Sequence, residues 1–509
     1  MAILLLASAF WATVWAMVPA LEARADDDAA FTIETLPSSG RILAAEITDF
    51  DGDGRADLVT VTSHGVPPAE RRELQVRYGD GSGRLPDAPS WHAPLPAGVA
   101  AYDVAPVDDQ PGSELILLRA QGVTLLSLAG REPRWRDLPT PMPTAGPAAD
   151  ERGLDRLRLA RPELGGVRLL VPGFGTSALL GPDGAVVGQL RTGGRANYFL
   201  PPRPGPLLGE NELELYFDVP RLDTGDVDGD GRVDLVAANR NELRVFLQRP
   251  DGTFASEPDR VLPLGLLSFA DHVRNTGGAR VDLGDWNGDG RADLLVSYAS
   301  GGLLRATTQT RLYLDRDGTW NLARPDQVFE NSGGVSLDQL VDVDGDGRPE
   351  LMRAFAAFGV LDLVKLFLQR SIDFDGALYR ADAAGRFDTK PWVHRHLSLP
   401  LSFETMRPRG FVPTLSGDWN GDGSRDLFDS AGGEGVEVWL GGPEYRFETR
   451  QARQRLDSGG RLRIGDLDGN GLPDWVLYDP RRAGVPLRIG RNRGVLPGTP
   501  PSLHAAPAP

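Results

Sequence analysis

The sequence predicts an all-β fold: a β-propeller of four-stranded blades, eight or alternatively seven, closed by a strand from the N-terminus. Three observations carry this. The composition is rich in turn formers, an acidic nonapeptide occurs six times, and the long first interval between copies is three times the 59-residue step that follows it.

Composition sets the class. Glycine (62) and proline (41) make up about a fifth of the 509 residues, against a usual share of roughly 12%. There is no collagen period, so this much punctuation favours many short strands and turns over a helical bundle. Apolar residues make up 41% of the chain, enough for a packed core rather than a disordered chain. Cysteine is absent. That excludes disulfides, zinc–thiolate sites, iron–sulfur clusters, cysteine catalysis and a lipoprotein anchor. The formal charge of −17 argues against a nucleic-acid partner, because phosphate binding needs a basic footprint.

The first residues stand apart from the fold. An uncharged stretch from Ala2 to Ala20 is followed by Ala23-Arg24-Ala25 and then Asp26-Asp27-Asp28. This reads as a secretory signal peptide, residues 1–25, with a small-x-small cleavage site. The alternative is an uncleaved membrane anchor, since about 20 apolar residues just span a bilayer. Either way the remainder is expected outside the cytoplasm: secreted, periplasmic or at the cell surface.

The acidic nonapeptide is the dominant signal. Its acidic and amide positions are Asp49, Asp51, Asp53 and Asp57 in the first copy, and Asp226, Asp228, Asp230 and Asp234 in the second. The third has Asp285, Asn287, Asp289 and Asp293, and the fourth Asp342, Asp344, Asp346 and Glu350. The fifth has Asp418, Asn420, Asp422 and Asp426, and the sixth Asp466, Asp468, Asn470 and Asp474. Positions 1, 3 and 5 are always Asp or Asn, positions 4 and 6 always Gly, position 9 always acidic and position 2 always apolar.

Calcium explains that spacing. A hard cation takes six to eight oxygens at about 2.3–2.6 Å from a flexible loop. Carboxylates at 1, 3 and 5 converge only if the backbone curls, and glycines at 4 and 6 permit the curl. Position 7 offers its carbonyl, and position 9 is expected to close the shell with both oxygens. Magnesium, which demands a stricter octahedron, fits less well. Metal-free Asx-turns are the alternative for a single copy, but six such loops would repel themselves without a cation. About six calcium ions are therefore expected. The loop is not an EF-hand, because position 12 is Thr60 in the first copy and Ala237 in the second and the flanks are strand-like.

Spacing gives the architecture. Successive first aspartates are 177, 59, 57, 76 and 48 residues apart. The long step is three repeats, so two units lie hidden within it. One runs through Ala101–Asp108 and Gly112–Leu118, the other through Leu157–Ala160 and Gly165–Val171. Both keep the strand–loop–strand outline; Pro106 and Gln110 stand where ligands belong. In the fourth unit the four strands are predicted at about Arg221–Asp226, Asp234–Ala238, Glu242–Leu247 and Arg260–Leu264. Such units suit propeller blades or a solenoid. The eighth unit shows only three strands, and Phe31–Pro37 has no blade of its own. Lending that strand to the last blade closes a ring.

These residues resemble the FG-GAP/VCBS-repeat family, whose members are similar to the N-terminal propeller of integrin α-subunits. The resemblance spans about residues 40 to 495. It implies a loop between the two innermost strands of each blade, with the four positions above in each copy as calcium ligands of largely structural role. The two blank units and the missing Phe-Gly…Gly-Ala-Pro signature depart from the family and leave the count between eight and seven blades.

Other chemistry is thin. His394 and His396 share a strand face but read as an ordinary surface hairpin, and there is no Gly-x-Ser-x-Gly elbow, P-loop or dinucleotide fingerprint. The domains are thus a signal segment (1–25), a propeller (26–495) and a Pro/Ala-rich disordered tail (496–509). Three functions remain open: an adhesion or scaffold module binding an extracellular polysaccharide or protein, a propeller enzyme (lyase or glycosidase type) acting on glycans, or an envelope component without a discrete site. A membrane partner is expected only if the N-terminal segment stays uncleaved. Strand parity puts all six loops on one face. Two long segments, Ala196–Tyr216 and Ala299–Thr310, fall on the other, where a partner is expected near the link from blade 3 to blade 4.

Overall fold

The structure is a computed structural model that describes residues 29–503, apart from 67–68, 146–153, 200–213, 269–277, 301–305, 358–367, 403–406 and 458. Residues 1–25, read from the sequence as a signal segment, lie outside the described residues.

Eight antiparallel blades follow one another along the chain. Blade 1 is built from Arg41–Thr48, Asp57–His64, Arg71–Arg77 and Trp91–Pro94, in that order from the inside out. Blade 4 comprises Arg221–Gly225, Asp234–Ala238, Glu242–Phe246 and Arg260–Pro263, within two residues of each end read from the sequence. The two blank units are blades 2 and 3. In blade 3 the innermost strand has shrunk to a single bridge, Ala160 to Leu169. In blade 2 Asp155–Arg156 adds a short parallel strand inside Ala101–Ala105.

The last blade settles the closure. Its inner strands are Arg461–Gly465, Asp474–Tyr478 and Leu487–Asn492, and its outermost is Phe31–Leu36. That strand runs antiparallel to Leu487–Asn492, from Phe31 opposite Asn492 to Leu36 opposite Leu487.

Alternation along the strands makes the ring. Each blade buries apolar side chains on both faces, so the core is a set of layers between neighbours. Among the described residues these form eight clusters, one at each seam. The cluster between blades 8 and 1 joins Leu467, Val476 and Ile489 to Ile42 and Leu58. A solenoid would lack this last contact.

Three expectations change. Ala196–Tyr216 is not wholly irregular: Arg195–Phe199 pairs with Glu214–Asp218 as a two-stranded hairpin between blades 3 and 4. The turn within Ala299–Thr310 is shorter than read, because its flanking strands run on to Ser300 and resume at Thr307; residues 301–305 lie outside the described residues. Residues 496–503 are not a loose tail: Leu496 is buried, and Pro501–Leu503 forms a 3-10 turn. Apolar Leu496 and Leu503 find cover against the ring, which the Pro/Ala composition hid. No helix among the described residues is long and apolar enough to cross a membrane.

Candidate metal centres and the two faces of the ring

Each acidic loop joins the two innermost strands of its blade, so all six emerge on one face. The opposite face carries the second-to-third turns and the blade-to-blade links.

The loop is assembled by its own backbone. The glycines at positions 4 and 6 have φ between +72° and +93° in all six copies, the left-handed region where a side chain is strained. This turns their N–H groups inward onto position 1. Asp49 accepts Gly52 N–H on Oδ1 (2.7 Å) and Gly54 N–H on Oδ2 (2.8 Å). The same pair of bonds holds Asp226, Asp285, Asp342, Asp418 and Asp466. Position 2 is apolar because it anchors the loop in the seam: Phe50, Val227, Trp286, Val343, Trp419 and Leu467 are all buried.

Position 9 does more than close a shell. Asp234 accepts Val227 N–H on Oδ2 and Gln248 N–H on Oδ1, both at 2.8 Å. Asp57, Asp293, Asp426 and Asp474 likewise tie the position-2 amide to the turn after the third strand. Glu350 reaches Val343 N–H at 2.7 Å. Where both oxygens are fastened to N–H groups, a cation would share them.

The fit to a cation can be judged from what is left over. Carboxylate oxygens of positions 1, 3 and 5 in blades 1 and 4 gather within 4.8 Å of one another, as do those of positions 1, 3 and 9 in blades 6 and 8. Within these clusters Asp228 Oδ1 and Asp344 Oδ1 are buried and have no hydrogen-bond partner. A buried acceptor left bare costs about 1–3 kcal/mol, and a cation would satisfy it. Burial also pushes the position-9 carboxyls up, to about 6 for Asp57 and Asp234 and about 7 for Asp293, Glu350, Asp426 and Asp474. Their backbone hydrogen bonds oppose the shift without overcoming it. The donors are all oxygen, which suits a hard divalent ion. These clusters have the composition and convergence to hold metal ions.

Some residues escaped the sequence reading. In blade 2 Glu114 is buried and accepts Val107 N–H at 2.7 Å, the same bond that position 9 makes elsewhere. Pro106–Glu114 is therefore the remnant of the nonapeptide, with Pro106 and Gln110 at positions 1 and 5 and neither loop glycine kept. Its signal was apolar Val107 at position 2 and an acid seven residues later. Arg131 was also missed. It reaches from the turn after the third strand of blade 2 to Asp51 (2.7 Å) and Asp53 (3.3 Å) of the blade 1 loop. The histidines behave as expected of a surface hairpin: His394 and His396 lie on the exposed side of their strand, with His396 Nδ1 3.1 Å from Asp375.

The far face has a different character. Val66, Phe174, Val219, Leu368 and Val412 are exposed apolar side chains in its turns and links. A recess of about 670 Å³ opens there between blades 3 and 4, lined by Leu157, Arg158, Arg161, Phe174, Val219 and Arg221 among others. Phe174 is 56% exposed. Of the long segment predicted to bind there, Tyr198 and Phe199 belong to the hairpin strand, and residues 200–208 lie outside the described residues.

An all-β ring of eight blades with acidic loops between its inner strands is a repeat propeller whose loops could hold metal ions. The FG-GAP-like repeat family matches residues 226–296, from the start of the blade 4 loop into the second strand of blade 5. Ring and match together fit an FG-GAP repeat propeller. No curated protein matches the chain. Among solved structures it is similar to the V. cholerae biofilm matrix protein Bap1, at 12% identity and a TM-score of 0.43, over 91% of this chain and 89% of that one. It is also similar to an Agrocybe aegerita lectin that recognises non-reducing terminal N-acetylglucosamine (14%, TM-score 0.33, 83% and 81%). A third is Sqt1 from Chaetomium thermophilum (12%, TM-score 0.37, 89% and 96%).

Proposed function

We propose that the protein is an exported, calcium-stabilised propeller that serves as a binding module for an extracellular polysaccharide or protein. About six calcium ions rigidify one face, and the partner docks on the other, at the recess between blades 3 and 4. The observation that carries this is the asymmetry of the two faces. The loop face is acidic and internally hydrogen-bonded, whereas exposed apolar side chains gather in the turns and links opposite. Binding residues usually sit on loops held by a rigid scaffold. Phe174 beside Arg158 and Arg221 offers an apolar platform with polar heads at its edge, a combination that suits sugar rings or a partner's side chain.

The test is a screen against polysaccharides and envelope proteins, in calcium and in chelator, with the wild type and the double variant Phe174→Ser, Val219→Asp. Binding should be lost in the variant while calcium stoichiometry and melting temperature hold. Binding that survives there but disappears in a folded Asp285→Ala variant would move the function to the loop face. Release of new reducing or unsaturated ends from a bound glycan would make the protein an enzyme instead.

A further inference from the structure

Four of the six acidic loops are covered in one way, and the blade 7 loop is covered in another. In blades 1, 4, 5 and 8 the turn between the third and fourth strands of the following blade lies over position 3 of the loop. Gly130 N–H donates to Asp51 O at 2.8 Å. A Cβ on Gly318 would stand 3.4 Å from Asp228 Cα, one on Gly385 3.0 Å from Asn287 Cβ, and one on Gly83 2.8 Å from Asp468 Cβ. Each of these covers is a closed turn, held by strands at both ends.

Blade 7 has no such neighbour. The fourth strand of blade 8 comes from the N-terminus, so the turn that would cover the blade 7 loop is missing. The chain beyond Asn492 takes its place. Asn420, at position 3 and fully buried, donates its side-chain amide to Pro497 O (2.8 Å) and to Asp422 Oδ2 (2.9 Å). Both donor contacts fix the amide so that Oδ1 stays with the loop, where it accepts Asp422 N–H at 3.3 Å. Leu503 then seats on two loop glycines at once: a Cβ would stand 2.5 Å from it at Gly421 and 3.1 Å at Gly471 of blade 8. Blade 5 supplies an internal comparison. Its loop begins with the same hexapeptide, Asp-Trp-Asn-Gly-Asp-Gly. There Asn287 donates only to Asp289 (3.0 Å), and nothing lies within 4 Å of a Cβ built on Gly288.

We infer that Leu496–Leu503 is a positioning strap for the metal loop of blade 7, standing in for the turn that blade 8 gave up when the ring closed. The inference rests on the calcium reading above. Because the strap follows the last strand of blade 8 and does not join two strands of a blade, it is the cover that can leave without breaking a blade. Ion occupancy in blade 7 and docking of the C-terminus are then coupled, and each strengthens the other by the same factor. The blade 5 loop, identical in its first six residues, is uncoupled.

The test compares wild type, a chain ending at Leu496, and Leu503→Ser, with calcium binding followed by native mass spectrometry. Both variants should weaken one ion by about tenfold or more and leave the others unchanged. In an Asp418→Asn background, which disables the blade 7 loop, shortening the chain should weaken nothing further. Hydrogen exchange across 497–503 should quicken as that ion leaves. If the wild type binds its ions and neither variant weakens any, or if the loss persists in the Asp418→Asn background, the strap inference fails alone. If the wild type binds no calcium, the calcium reading fails with it. Should the shortened chain misfold, Leu503→Ser decides.

Discussion

Asp234 Oδ1 accepts the backbone N–H of Gln248 at 2.8 Å, from the start of the second strand of blade 4 to the turn after its third. The residue therefore serves two tasks, as a candidate ligand and as a buried fastener between the acidic loop and the next turn on the same face.

That double role separates variants. Asp234→Ala leaves two buried N–H groups without acceptors, at about 1–3 kcal/mol each. It should destabilise by roughly 2–6 kcal/mol in chelator, and by more in calcium, where the ion also loses a ligand. Asp230, with its side chain 26% exposed, acts mainly through the ion, so Asp230→Ala should cost several kcal/mol in calcium and little in chelator. Asp108→Ala in blank blade 2 should cost much less than either. Urea unfolding with and without EDTA checks all three.

Calcium removal should lower the melting temperature sharply. Six divalent ions add twelve positive charges to a formal −17, relieving repulsion on the loop face. Each contributes about 3–4 kcal/mol at 100 to 1,000 times its Kd. Protease cleavage should quicken first between residues 220 and 480, where five of the six loops lie. Unchanged melting in EDTA, with no calcium by elemental analysis, would rule this out.

Glu114 gives a pH signature free of metal. Burial pushes its carboxyl up to about 7, against about 4.3 in an unfolded chain. Between those values the folded state holds the extra proton. The stability from this group is therefore full below about pH 4 and is lost as pH rises through about 7. Glu114→Gln keeps an acceptor for Val107 N–H and removes the charge. It should be more stable than wild type by about 1–3 kcal/mol near pH 8, with the gain fading toward pH 5. A gain independent of pH would contradict the assignment.

Phe31 holds the closure. It is 2% exposed and meets Trp419, Phe428 and Trp475 edge-on at 5.5–5.9 Å between ring centroids. Phe31→Ala should cost about 3–5 kcal/mol, seen as a lower urea midpoint, while an outward substitution at Thr32 should cost little.

Much of this was legible because metal chemistry fixes residue spacing. Asp49 through Asp57 and its five echoes gave the blade period, and the unpaired Phe31–Pro37 gave the closure. Blade 3 was harder, since its inner strand survives only as the Ala160–Leu169 bridge. Glu114 hid because Pro106 replaces the first ligand. The covers over the loops, including Arg131 and Leu503, depend on which segments are neighbours in space, and no local pattern records that.

The pairing of Phe31 with Asn492 also sets an order of events. A chain delivered from its N-terminus carries its first strand unmatched until nearly every other residue has arrived. Inner hairpins form early, from contacts close in sequence, but the seam that latches the circle waits for the final hairpin. Contacts of such long range slow folding. Until residues 487–492 are free to pair with 31–36 the circle stays open, and only that pairing shuts it into a disc.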